Sequence, residues 1–173
     1  SYDSYLQNTE GALDSFILFP QAPKKQNWAE DGCSDLYNSL LHDILDTYPI
    51  NEDRVYLTGM SMGGYGTFYQ AALTPDRYAA IMPLCAYVDT DLLSGIYDIP
   101  IRMGHSTDDE AVDYQYSADA YEELVRLRTA AGQSAAKIGR EVQLDKFTDK
   151  GHQVTQAFYE QAGVFDWLFS FRK

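Results

Sequence analysis

Gly59-Met60-Ser61-Met62-Gly63-Gly64-Tyr65-Gly66 stands directly behind the apolar run Val55-Tyr56-Leu57. Strand formers that run into a glycine-framed serine, and from there into residues suited to helix, leave few folding options. The one that fits is a strand, a sharp turn with Ser61 at its apex, and a helix from Gly63 to Leu73 that closes before Pro75. So tight a turn forces strained backbone angles on Ser61. Side chains two residues either side would collide with the strand and helix being joined. Gly59 and Gly63 are expected to remove those side chains. The Ser61 hydroxyl is then exposed at the carboxyl end of the strand, with the Met62 N–H facing a reacting carbonyl. Glycine and serine are common, so the bare motif means little; its place between a strand and a helix gives it meaning.

Other segments repeat the strand–helix alternation. Phe16-Ile17-Leu18-Phe19, stopped by Pro20, has the continuous apolarity of a strand buried on both faces. Ser34 is expected to cap a helix whose apolar positions run from Leu36 to Tyr48 and end at Pro49. Strands are expected over 54–58, 79–84, 99–103 and 142–147, and a helix over 114–131. Gly132 to Gly139 reads as a flexible connection, and Gln156 to Phe169 as one last helix. Alternation of this kind predicts an α/β fold, a mostly parallel sheet with helices on both faces, in a single domain over 1–173.

Composition narrows the function classes. With 173 residues and 45% hydrophobic content the chain can bury a sizeable core, and it has no apolar run long enough for a membrane-spanning helix. A formal charge of −13 repels phosphate backbones, so nucleic acid is not an expected partner. Two cysteines, Cys33 and Cys85, are too few for a disulfide framework and lack metal-ligand spacing.

A serine hydroxyl needs a base to take its proton, and the base needs an acid to orient it. There are three histidines. His42 falls inside a helix, where a solvated surface position is expected. His105 and His152 both follow strands, in the loops where an open parallel sheet collects its catalytic groups. The triad order on such a sheet is serine, acid, histidine, and only His152 has acids between itself and Ser61. His105 is expected to bond nearby loop backbone. The loop after residue 103 offers Asp108, Asp109 and Glu110 as the acid.

With these residues assembled, the chain resembles the α/β-hydrolases. More narrowly, it is similar to the single-domain esterases related to prolyl oligopeptidase, dienelactone hydrolase and polyhydroxybutyrate depolymerase. The wording from Tyr48 to Phe68 around the nucleophile, Phe19-Pro20-Gln21-Ala22-Pro23, the stretch Asp76 to Ile81 and Gly151-His152 carry the likeness. In these families the acid stands four residues after the histidine that ends its strand, which implies Asp109 with Asp108 as the alternative. The resemblance implies a serine carboxylic-ester hydrolase with Ser61, Asp109 and His152 as triad and Met62 as oxyanion donor. Small, aryl or carbohydrate-linked esters are the implied substrates, and neither metal nor cofactor is required. Trp28, Met60 and Tyr65 are candidates for the substrate pocket. A proline-directed serine peptidase and a binding module that keeps the fold without turnover are the alternatives. One departure stands out: the His-Gly-rich loop that gives these families a second oxyanion N–H is missing from Ser1 to Gly11. The chain is therefore expected to be the C-terminal part of the fold, incomplete at its N-terminal side.

Overall fold

The structure, a computed structural model, describes residues 15–173. Its sheet has four parallel strands side by side in chain order: β1 (Tyr56–Met60), β2 (Ala80–Leu84), β3 (Ile101–Ser106) and β4 (Val142–Phe147). Around them lie α1 (Asp31–Thr47), α2 (Met62–Leu73), α3 (Gln115–Ala130), α4 (Ala135–Glu141), α5 (Thr155–Tyr159) and α6 (Val164–Phe169). Parallel neighbours need crossovers, and α2 and α3 supply two of them.

Side chains alternate across a strand, and β2 shows what that does when both faces are covered. Ile81 points into one core with Ile101, Met103, Phe68, Ala120 and Leu124. Ala80, Met82 and Leu84 point into the other, against Phe158 of α5 and Phe165 and Leu168 of α6. All five residues of β2 are buried, as continuous apolarity implies. Pro83 in this central strand costs one ladder bond: Ile81 N donates to Pro100 O and Cys85 N to Gly104 O, and Pro83, between them, has no N–H to give.

Several sequence expectations need correction. Phe16 to Phe19 form no strand; they are irregular and at least 36% exposed, because a strand exists only through ladder bonds to a neighbour and none flanks them among the described residues. Ser34 lies inside α1 rather than at its cap; it is buried, and Gln70 Nε2 donates to its Oγ at 2.9 Å. Residues 132–139 are not a flexible connection but hold most of α4, whose cap is Ser134 Oγ accepting from Lys137 N at 3.2 Å. The last helix is two helices, α5 and α6, the second entered through Gly163 at φ 80°. Ser1 to Gly11 lies outside the described residues.

Helix α4 is tied down by charge. Arg128 of α3 is fully buried; its Nη1 donates to Glu141 Oε2 at 2.6 Å and its Nη2 to Ile99 O at 2.7 Å. Burial alone would raise the Glu141 pKa, but hydrogen bonds from Arg128 and Arg140 outweigh it and hold the carboxyl below its usual value. Arg128→Met leaves that carboxylate only the more exposed Arg140 and Lys137, and should lower stability by about 1–3 kcal/mol in chemical denaturation. A loss below about 1 kcal/mol would mean that α4 docks without the pair.

Candidate active site

Ser61 joins β1 to α2 at φ 56° and ψ −118°, a left-handed conformation that a side chain other than glycine's rarely adopts. Two bonds hold it: its N–H donates to Leu84 O at the end of β2, and its carbonyl accepts from Tyr65 N, each at 2.9 Å. The glycines divide the work differently from expectation. A Cβ on Gly59 would overlap the Gly63 carbonyl, and one on Gly64 would sit 2.5 Å from Leu84 O. A Cβ on Gly63 would meet nothing within 4 Å. Gly63 matters for how closely its backbone approaches Gly59, while Gly64 is the second glycine that the turn cannot replace. Met62 opens α2, so its N–H lies in the first turn, where such groups have no intrahelical acceptor.

The loops after β3 and β4 bring the expected acid, Asp109, and the expected base, His152, together. His152 Nδ1 lies 2.7 Å from Asp109 Oδ2. Asp109 has a fully buried side chain; its Oδ1 accepts from Ala111 N at 2.9 Å and Val112 N at 3.0 Å. Burial would raise its pKa, but the bonds from Val112, His152 and Ala111 prevail and keep it below the ordinary value. An ionised carboxylate only accepts, so His152 Nδ1 carries the proton and Nε2 is left with its lone pair. Asp108 does not reach His152. Its two oxygens accept from Ser106 Oγ and, at 3.2 Å, from Gly151 N, so it braces the loop that carries the base. Glu110 joins Asp108, Ala111, Gly151 and His152 around an open depression. Among the described residues, Ser61 Oγ makes no hydrogen bond to His152; in unliganded sites of this type that bond is often long.

Trp28, Met60 and Tyr65, expected to line a substrate pocket, are not among the residues around this depression. His42 is on the surface, 3.1 Å from Asp46. Trp28 packs on α2, where a Cβ on Gly66 would lie 2.6 Å from its own Cβ, and meets Tyr37 edge to face. Met60 takes a hydrogen bond at its sulfur from Thr155 Oγ1, linking the nucleophile strand to α5. Tyr65 stacks on Tyr87 with ring centroids 4.5 Å apart, and Tyr87 meets Tyr116 edge to face at 5.9 Å. Sequence reasoning missed Tyr87, Ser117 and Cys85 as neighbours of the site. Cys85 follows β2 at φ 45°, and its thiol, with its pKa pushed up to about 12 by burial and by the Asp109 charge, stays protonated. Cys85, His105 and Asp109 converge closely enough to suggest a metal site, but both ring nitrogens of His105 and both Asp109 oxygens already hold hydrogen bonds.

The model of the Esterase family matches residues 17–167. The chain belongs to that family. A thermostable esterase of known structure superposes with a TM-score of 0.77 at 27% identity, over 89% of this chain and 43% of its own. An extracellular metalloprotease of Sordaria macrospora is 28% identical over 69% of this chain and 42% of its own length. A bifunctional acetylxylan esterase/xylanase of Neocallimastix patriciarum is 26% identical over 64% of this chain and 16% of its own. This member of the Esterase family thus spans less than half the length of each of these three relatives, and its fold is that of an α/β-hydrolase.

The glycine contacts make a direct prediction. Gly63→Ala should fold at least as well as the native chain, gaining up to about 1 kcal/mol from helix propensity. Gly64→Ala should lose about 1–3 kcal/mol by overpacking against β2. Thermal unfolding of the two variants checks this, and equal losses would contradict it.

Proposed function

We propose that the protein is a serine-dependent carboxylic-ester hydrolase with Ser61, His152 and Asp109 as its triad. The observation that carries this reading is the 2.7 Å bond between His152 Nδ1 and Asp109 Oδ2, in a chain whose Ser61 sits at a strained strand–helix turn. His152 Nε2 takes the Ser61 proton as Oγ attacks the ester carbonyl, and returns it to the departing alcohol. The Met62 N–H stabilises the oxyanion, and water then releases the acid by the same route in reverse. Asp109 fixes the imidazole tautomer and stabilises its charged form.

The substrate class follows from the tyrosines beside the nucleophile. Tyr65 begins one turn after Ser61, and Tyr87 stands three residues after the Leu84 carbonyl that anchors the Ser61 N–H. Tyr87 and Tyr116 are 45% and 47% exposed, so aromatic faces flank the catalytic loops. Such faces suit the aryl or sugar ring of an ester, and the acetylxylan esterase named above is in keeping with a carbohydrate-linked one. Met60 and Trp28 complete the proposed pocket wall from the β1 side and the α2 side.

Hydrolysis of short p-nitrophenyl esters tests the reading. Ser61→Ala should remove turnover, with a loss of about 10⁶-fold where the triad acts as a unit. Asp109→Asn should leave folding intact and cost about 10⁴-fold in kcat through the wrong histidine tautomer. Turnover that survives Ser61→Ala would sink the assignment.

A further inference from the structure

His105 is the next-to-last residue of β3, inside the strand rather than in the loop after it, and its side chain is fully buried four residues before Asp109. Nothing in the proposed reaction uses it, yet both its ring nitrogens are engaged. Nε2 lies 3.0 Å from Val112 O and 3.2 Å from Asp109 Oδ2, and Nδ1 lies 2.8 Å from Ser117 Oγ. A carbonyl oxygen only accepts, so Nε2 must carry the proton and share it between Val112 O and Asp109 Oδ2. Nδ1 is then the lone pair, and the Ser117 hydroxyl donates to it. Burial holds the His105 pKa below its ordinary value, against the opposing pull of Val112 O and Asp109, in keeping with this neutral form.

From this network we infer that His105, held in one tautomer by Val112 O and in place by Ser117, is a positioning residue that aims the Asp109 carboxylate at His152. The inference rests on the triad reading above. Asp109 Oδ2 receives two imidazole N–H donors, and they are unequal. The bond to His152 is 2.7 Å, whereas that from His105 is 3.2 Å and shared with a carbonyl. The weaker donor fixes the oxygen without competing for the charge that His152 needs. With Oδ1 held by two backbone N–H groups, the carboxylate can neither rotate nor tilt away. A second observation ties the same lock to the fold: Ser117 lies in the first turn of α3 and is itself buried, so the helix that follows the acid loop anchors the Nδ1 side of the His105 ring.

The test measures kcat and KM on a p-nitrophenyl ester for His105→Leu, His105→Gln and Ser117→Ala, with Ser61→Ala as control and thermal unfolding recorded for each. Gln places an N–H donor near the position of Nε2; Leu has none. His105→Leu should lower kcat about 10–100-fold, since small misplacements at a catalytic centre cost that much, with KM little changed. His105→Gln should recover most of the loss. A stably folded His105→Leu with native kcat overturns the inference, as does an equal kcat loss in the Leu and Gln variants. Where His105→Leu does not fold, Ser117→Ala decides: a several-fold fall in kcat at unchanged melting temperature supports the lock, and native kcat overturns it. Residual turnover in Ser61→Ala would instead overturn the triad reading itself, so the two failures are told apart.

Discussion

Ser61 occupies a backbone conformation that costs a non-glycine residue about 1–3 kcal/mol, and the surrounding structure has to over-determine it. The register of β1 against β2 does this. Met60 pairs with Leu84, which puts the Leu84 carbonyl in reach of the Ser61 N–H. The same carbonyl sits where a side chain on Gly64 would be, so the strand that anchors the serine also dictates a glycine in the helix. Burial of β2 on both faces locks that register, because a slip of one residue would exchange the contents of its two cores. The sheet, in this sense, is built to hold one strained peptide.

A second constraint lies across the sheet, where the buried Asp109 carboxylate is kept ionised with no lysine or arginine ion pair among the described residues. Hydrogen bonds replace the missing cation: two backbone N–H groups and two imidazoles converge on it. A buried carboxylate with fewer donors would take up a proton and cease to orient the base. Its neighbour Asp108 serves the opposite end of the same problem by tethering Gly151, so adjacent acids hold the histidine and its loop respectively.

The parts of this arrangement legible in the sequence were those fixed by short-range spacing. The elbow, the strand–helix alternation and the loop position of His152 all follow from local pattern. The choice of Asp109 over Asp108 did not; both side chains sit in one loop, and only the family resemblance separated them before the geometry did. Gly64 was missed because its constraint comes from β2, twenty residues on in the register, and not from the turn itself. His105 was expected to bond loop backbone, and it does so at Val112, but its link to Ser117 depends on where α3 begins. Phe16 to Phe19 carry the composition of a strand, with no neighbouring strand among the described residues to make them one. By contrast, α4 could have been found from its Ser134 cap followed by Ala135, Ala136 and Lys137, had Gly132 and Gly139 not been given more weight.

The central claim is that Ser61 is an activated nucleophile, and covalent trapping tests it most directly. Incubation with a fluorophosphonate followed by peptide mass mapping should place one adduct on Ser61, with labelling strongly slowed in His152→Ala. An adduct on a different residue, or an unlabelled Ser61 in the folded protein, would contradict the account.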